Sequence, residues 1–265
     1  MTSSVTIMAG YLVLGALAGT LAGVFGVGGG LIIVPALVLA FELQDVEPAV
    51  TMHLAVGTSL ATIVVTGASS TWGHIQKGSV HRHWFLALLP GLMLGAVAGV
   101  FVAGSLSGGL LGTLFGLFVV VVAVRMALGL APRPGSTAPG RLAMGLAGVV
   151  IGGISALFGI GGGTLTVPWL SRAGARMTEA VGTSAACGLP IAIFGALTFI
   201  VVGWGNPELP TWAIGFVAWP AFLGIVLTSV PFARLGVRLA HVLSARVLRL
   251  AFATLLAGVG VRFLL

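Results

Sequence analysis

Charge is what this sequence has least of. Its 265 residues include only 12 Lys/Arg and 5 Asp/Glu, or 6%, against about 25% in a soluble domain. That scarcity excludes a soluble globular enzyme, a nucleic-acid binder and a disordered tail. The net charge of +7 reflects loop arginines with few acids to balance them, as in cytoplasmic loops of membrane proteins. The single cysteine, Cys187, excludes an intrachain disulfide and a cysteine-rich metal site. No apolar run contains an Asp/Glu pair, an HExxH motif or a serine in register with a base, so a membrane-embedded enzyme is disfavoured. The same lack of carboxylates argues against metal-cation transport and against carboxylate-based sodium or proton coupling. A cleaved signal peptide is not expected, because the N-terminus has no charged leader before its apolar stretch.

What the chain has is apolar length and glycine: 58% hydrophobic residues and 42 Gly. Without a G-X-Y period or polar tracts, that composition reads as a polytopic helical membrane protein whose small residues let helices pack closely. The sparse charges divide it into units. Positions 1–41 carry none, Glu42, Asp45 and Glu47 follow, and 48–76 end at Lys77 and Arg82. The stretch 83–124 is long enough for two spans, divided at 104–109. Arg125, Arg133 and Arg141 bracket APRPGSTAPG (131–140), the best linker in the chain. Charge-free runs 142–171, 180–207 and 209–233, a basic segment to Arg249 and a last apolar run complete the chain. With about 20 apolar residues per span, eight hydrophobic units result. The division is a first membrane repeat (1–130), a linker (131–141) and a second repeat (142–265).

The halves repeat one another. FGVGGGLIIVP (25–35) recurs as FGIGGGTLTVP (158–168), identical at seven of eleven positions. VGTS (56–59) recurs at 181–184, and Phe115 and Val124-Arg125 recur as Phe252 and Val261-Arg262. Three matches in the same order indicate an internal duplication.

Eleven of the twelve basic residues lie in 77–82, 125–141, 172–176 and 234–249. The positive-inside rule places all four segments in the cytoplasm. Only the unit 142–171 separates Arg141 from Arg172, so it must enter and leave on one side. As a continuous helix it would extend about 45 Å across a core of about 30 Å. Its triple glycine, like that of 7–41, supports a broken helical hairpin. Each half then comprises a broken hairpin and three transmembrane helices, the halves are inverted, and both termini lie outside. The rival is eight plain spans with parallel halves.

Inverted repeats with broken helices are a recurring transporter design, with substrate held near the midplane. Consecutive glycines expose amides that can donate to an anion, and a helix starting there adds a positive dipole end. This singles out Gly28, Gly29 and Gly30 with Gly161, Gly162 and Gly163 as anion-binding turns; the plainer role is close packing at a bend. Thr58, Ser59, Thr183 and Ser184 form a second symmetric set, facing substrate or only packing helices. Thr62, Thr66, Ser69 and Ser70 continue a polar stripe in the first half. His53 is the candidate proton relay, with an interfacial, water-bonded histidine as the alternative. His74, His81 and His83 read as a solvated basic patch rather than a metal site. No metal or cofactor is expected.

These segments together resemble the sulfite exporter TauE/SafE family, also called the 4-toluene sulfonate uptake permease family. The resemblance rests on the duplicated glycine segments 25–35 and 158–168, the GTS segments 57–59 and 182–184, and the stretch His74–Val80. It departs at GWGNPELP (203–210), which lacks the basic pattern. Membership implies a bacterial or archaeal inner-membrane permease moving sulfite, sulfoacetate or a related organosulfonate. The expected partners are that small anion and the lipid bilayer, and no nucleic acid; oligomeric state is not readable from the sequence. Alternating access around a central site is the expected mechanism. Export is the expected direction, because an inside-negative potential favours it by about 2.3 kcal/mol per 100 mV for a monoanion. An anion channel of the same architecture is the alternative.

Overall fold

Short glycine-containing turns interrupt an otherwise helical chain. The structure, a computed structural model, describes residues 4–25, 29–129, 139–242 and 245–265. Gly28 and most of the linker therefore lie outside the described residues. Two helices, α1 (Ser4–Phe25) and α2 (Gly30–Glu42), flank the first triple glycine; α3 (Pro48–Gln76), α4 (Arg82–Ser105) and α5 (Gly108–Ala127) follow. The second half repeats the order with α6 (Arg141–Leu157), α7 (Gly163–Arg172), α8 (Met177–Val202), α9 (Trp219–Val242) and α10 (Ala245–Leu264). The triple glycines thus separate α1 from α2 and α6 from α7. Tyr11 near the start of α1 receives a hydrogen bond from Gln44 Nε2 just beyond α2 (2.9 Å), so α2 returns toward the side on which α1 begins.

One unit departs from the apolar pattern. The run 209–233 is not helical until Trp219. Pro210 and two left-handed glycines, Gly205 (φ +75°) and Gly215 (φ +52°), turn the chain into a short hairpin of β1 (Ala213–Ile214) and β2 (Val217–Ala218). The hairpin dips inward and buries Phe216 and Ala218. Helix α9 compensates by running on to Val242, into the basic segment.

Among the described residues, α3, α4, α5 and α8 are long and apolar enough to cross a membrane. The apolar window of α3 is 78% buried and that of α8 56%, against 39% and 33% for α4 and α5. The α3–α8 pair is therefore the centre, while Leu86, Leu94, Phe101, Leu117 and Val121 on α4 and α5 are exposed as lipid-facing residues are. Helices α3 and α8 run antiparallel. Gly57 lies against Phe199, Leu60 against Gly195, and Thr71 Oγ1 donates to Ala185 O (3.0 Å). Helices α5 and α10 also run antiparallel, with Gly112 beside Phe263 and Val120 beside Gly260.

The remaining long helices pack across the halves in parallel. On α4, Leu88, Gly91, Gly95 and Gly99 abut Gly148, Gly145, Val149 and Gly153 of α6. On α1, Tyr11, Gly15 and Gly19 abut Gly224, Ile225 and Ser229 of α9. A Cβ at Gly15, Gly19, Gly91, Gly95, Gly99 or Gly148 would strike facing backbone, which is the close helix approach that small residues permit in a membrane. Each half thus lends its first helix to the third helical unit of the other.

The candidate central site

The GTS segments lie in the first parts of α3 and α8, and their threonines are used in the same way. Thr58 Oγ1, fully buried, accepts from Ala218 N (2.9 Å), the residue just before α9. Thr183 Oγ1, also buried, accepts from His81 N (2.8 Å), the residue just before α4. The preceding glycines match: a Cβ on Gly57 would strike Phe216 O, and one on Gly182 would lie 2.5 Å from Ser79 O. Each Gly-Thr pair therefore docks the loop that enters the third helical unit of the opposite half. The two contacts lie at opposite ends of the molecule.

The serines differ. Ser59 Oγ donates to Gly159 O (2.8 Å) and so anchors the loop leading into the second triple glycine. Ser184, 2% exposed, has no hydrogen-bond partner among the described residues. Along α3, Thr62 and Thr66 return to their own helix, at Ser59 O (2.7 Å) and Thr62 O (3.1 Å). Ser69 and Ser70 are exposed.

The described glycines of the two turns lie close to the same region. Gly29 O accepts from Ile32 N and Ile33 N, opening α2. Gly30 has Ile160 Cα within 2.8 Å of where a Cβ would stand, with Gly159 O also in contact, so the start of α2 seats on the loop before the second turn. Gly162 adopts φ +70°, the left-handed conformation that favours glycine. A Cβ there would also lie 2.9 Å from Ile191 Cδ1. Gly161 O presses against Gly188 of α8, and Gly163 N donates to Gly161 O (2.8 Å). The amides of Gly161, Gly162 and Thr164 meet no acceptor among the described residues, as the first turn of a helix leaves them. No strong positive charge is needed to seat an anion there: amides and a dipole end suffice.

His53 is buried and stacks on Phe216, with ring centroids 5.1 Å apart. Its Nε2 lies 3.0 Å from Ala103 O. A carbonyl only accepts, so Nε2 is the donor; Nδ1 has no partner among the described residues. Lys77, Arg82 and His83 are exposed at the end of α3 and start of α4. Among the described residues no group of three His, Cys, Asp or Glu could hold a metal.

The ends of the molecule have opposite character. Glu42, Asp45, Glu47 and Glu208 lie at the end where α2 finishes and α3 begins; there Arg262 pairs with Glu42. A cleft of about 470 Å³ at this end carries Asp45, Glu47 and Glu208 on its wall. At the other end are Lys77, Arg82, Arg125, Arg141, Arg172 and Arg176, where α3, α5 and α7 finish and α4, α6 and α8 begin.

An apolar exposed helical surface, four helices of spanning length among the described residues and acidic and basic groups gathered at opposite ends mark a multi-pass membrane protein. Its class follows from comparison with known proteins. Residues 11–263 match the model of the family described as Sulfite exporter TauE/SafE, and the chain belongs to that family. It is 39% identical to a "Probable membrane transporter protein" of Haemophilus influenzae over 96% of this chain and 97% of the relative. A similarly named protein of Methanocaldococcus jannaschii is 28% identical over 96% of this chain and 94% of its own length. "Probable membrane transporter protein YunE" of Bacillus subtilis is 31% identical over 59% of this chain and 64% of its own. The protein is accordingly a membrane transporter and not an enzyme.

Three features escaped the sequence reading. The 213–218 hairpin that meets Thr58 was hidden inside an apolar run, where Pro210 was its one visible signal. The reciprocity of the threonines needs contacts across 160 and 102 residues, which no local pattern encodes. The polar residues of α7, described below, were visible as Thr164, Thr166 and Trp169 standing where the first copy has Leu31, Ile33 and Ala36.

Proposed function

We propose that this transporter moves a small sulfur-containing anion (sulfite, sulfoacetate or a related organosulfonate) out of the cell by alternating access around the triple-glycine turns. The observation that carries the reading is the meeting of the first turn with the loop of the second, beside α3 and α8. Uncovered amides and buried hydroxyls gather there without a carboxylate. Such backbone is tolerated at membrane depth where protein or a water-filled cavity surrounds it, and it suits an oxyanion, which only accepts hydrogen bonds.

Inverted halves are supported by the antiparallel courses of α3 with α8 and α5 with α10, and by the reciprocal threonine contacts at opposite ends. With the basic end in the cytoplasm, the acidic end and both termini face outside an inner membrane. Export is supported by the same asymmetry: basic loops raise the anion concentration at the entry, while acids at the exit oppose its return. A proton-relay role for His53 would run through Nδ1, since Nε2 is engaged by Ala103 O.

Two experiments test this. Purified protein in proteoliposomes should give sulfite counterflow, in which unlabelled sulfite inside drives uptake of labelled sulfite; a channel would give flux without it. In intact cells, Gln44→Cys should react with an impermeant thiol reagent and Arg176→Cys should not. Labelling of both positions would return the parallel arrangement, with Cys187 too buried to contribute background.

A further inference from the structure

Buried polar groups without partners are costly, and here they are not scattered. Nine residues among those described hold a buried side-chain nitrogen or oxygen with no hydrogen bond, and four of them, Thr164, Thr166, Trp169 and Ser171, lie on α7, a helix of ten residues. A fifth, Ser184, lies on α8, which packs against it. Each such group loses its hydration without a replacement, so a concentration of them in one short helix requires a physical reason.

Geometry supplies it. The chain turns from α7 into α8 through 173–176, which makes the two helices antiparallel neighbours. Gly162, Thr166 and Trp169 fall on one stripe of α7 by helical spacing; Ser184, Gly188 and Ile191 fall on one stripe of α8. The stripes face each other: the position of a Cβ on Gly162 lies 2.9 Å from Ile191 Cδ1, 3.4 Å from Thr166 Oγ1 and 3.8 Å from Gly188 Cα. Thr166 and Ser184 are 0% and 2% exposed. At the head of this interface are the amides of Gly161, Gly162 and Thr164, which meet no acceptor among the described residues. Amide N–H, hydroxyl O–H and indole N–H can all donate, and the indole cannot accept.

Among the described residues, the first half has no such set of donors. Leu31, Ile33 and Ala36 replace Thr164, Thr166 and Trp169, and Ser59 is bound to Gly159 O where its counterpart Ser184 is unpartnered. We infer that the substrate oxyanion is bound by the second half alone, at the α7–α8 interface. The amides of Gly161, Gly162 and Thr164, the hydroxyls of Thr166 and Ser184 and the indole N–H of Trp169 would donate to its oxygens. The first half then serves as the scaffold that holds the second turn in place. This rests on the anion-permease reading and adds to it which residues grip the anion. A zwitterion such as taurine finds no carboxylate in this set to pair with its ammonium group and is expected to bind less well than sulfite.

The test is sulfite affinity of the purified full-length protein by calorimetry, with sulfoacetate as a second probe, beside the unfolding temperature without ligand. Thr166→Val and Ser184→Ala should each weaken sulfite binding about tenfold or more, as loss of a hydrogen bond to a charged group does. Both should leave the unliganded protein as stable as wild type or more so, because each removes a group that is unsatisfied without ligand. Thr166→Ser should restore affinity. Ser59→Ala should instead lower the unfolding temperature and leave affinity unchanged. If Thr166→Val and Ser184→Ala bind like wild type, or if Ser59→Ala weakens binding as much as they do, the assignment to the second half is overturned. If wild type binds neither sulfite nor sulfoacetate, the anion reading itself fails, and this inference with it.

Discussion

The two triple-glycine turns carry the same glycines in the same order, yet their surroundings have different chemistry. After the first, α2 continues with Leu31, Ile33 and Ala36, and Ser59 on the neighbouring α3 is tied to backbone. After the second, α7 continues with Thr164, Thr166 and Trp169, and Ser184 on α8 is unpartnered. By contrast, the threonines of the GTS segments do the same work in both halves. The difference separates what the duplication keeps for architecture from what one copy has turned to chemistry. The Gly-Thr pairs and the glycine-lined helix contacts hold two interleaved halves together and are needed twice. A single bound anion needs one set of donors.

The largest effect expected from this comparison is at Gly162. Valine there would be forced into a left-handed conformation and against Ile191, and a β-branched residue is least tolerant of both. Gly162→Val should reduce sulfite counterflow by about a hundredfold or more, since an ångström-scale displacement of binding groups costs that much. Its neighbour is the control. A Cβ on Gly161 would meet only Ile63 side-chain atoms, at 3.4 and 3.7 Å, so Gly161→Ala should keep transport within a few-fold of wild type. Equal loss in both variants would mean that the turn as a whole, and not its left-handed residue, is what the site requires.

A smaller effect, and a symmetric one in kind, belongs to the threonines. Thr58→Val and Thr183→Val keep side-chain shape but remove the acceptors for Ala218 N and His81 N. A buried amide left without an acceptor costs about 1–3 kcal/mol. Thr58 acts in a fully buried contact and Thr183 in a partly buried one, where water can replace it. Thermal unfolding in detergent should therefore rank Thr58→Val as the more destabilised, with both still binding sulfite at wild-type affinity. A loss of affinity without loss of stability in either would move that threonine from the scaffold into the binding site.

Much of this was legible before the structure. The few charges marked the ends of the helices because a charge inside the hydrocarbon region is expensive, so α3, α4, α5 and α8 emerge close to the charge-free runs. The breaks in the hairpins followed from six glycines that cannot sustain a helix. The GTS repeat was legible as a repeat but not as a pair of reciprocal contacts, because its partners are loop amides more than a hundred residues away. The donors of α7 were missed for a different reason. Comparing the copies 25–35 and 158–168 drew attention to the identical positions, whereas a binding site built by one half resides in the positions that differ.

His53 extends the same comparison to its smallest expected effect. Its counterpart by the VGTS alignment is Thr178, which is exposed, whereas His53 is buried; the imidazole therefore belongs to one half only, as the α7 donors do. The resemblance ends there. Its Nε2 donates to Ala103 O at the end of α4, and its ring lies on Phe216 of the hairpin that Thr58 also holds. Both contacts tie α3 to the ends of neighbouring elements, and glutamine can reproduce the donation through its amide. His53→Gln should thus transport sulfite at a rate within about twofold of wild type. The dependence of transport on pH should also be unchanged. His53→Ala, which leaves the Ala103 carbonyl and the Phe216 face uncovered, should lower the unfolding temperature. If His53→Gln is stable but its transport no longer responds to pH near neutrality, Nδ1 carries a proton during the cycle. In that case the first half contributes a coupling group to a site whose anion donors lie in the second.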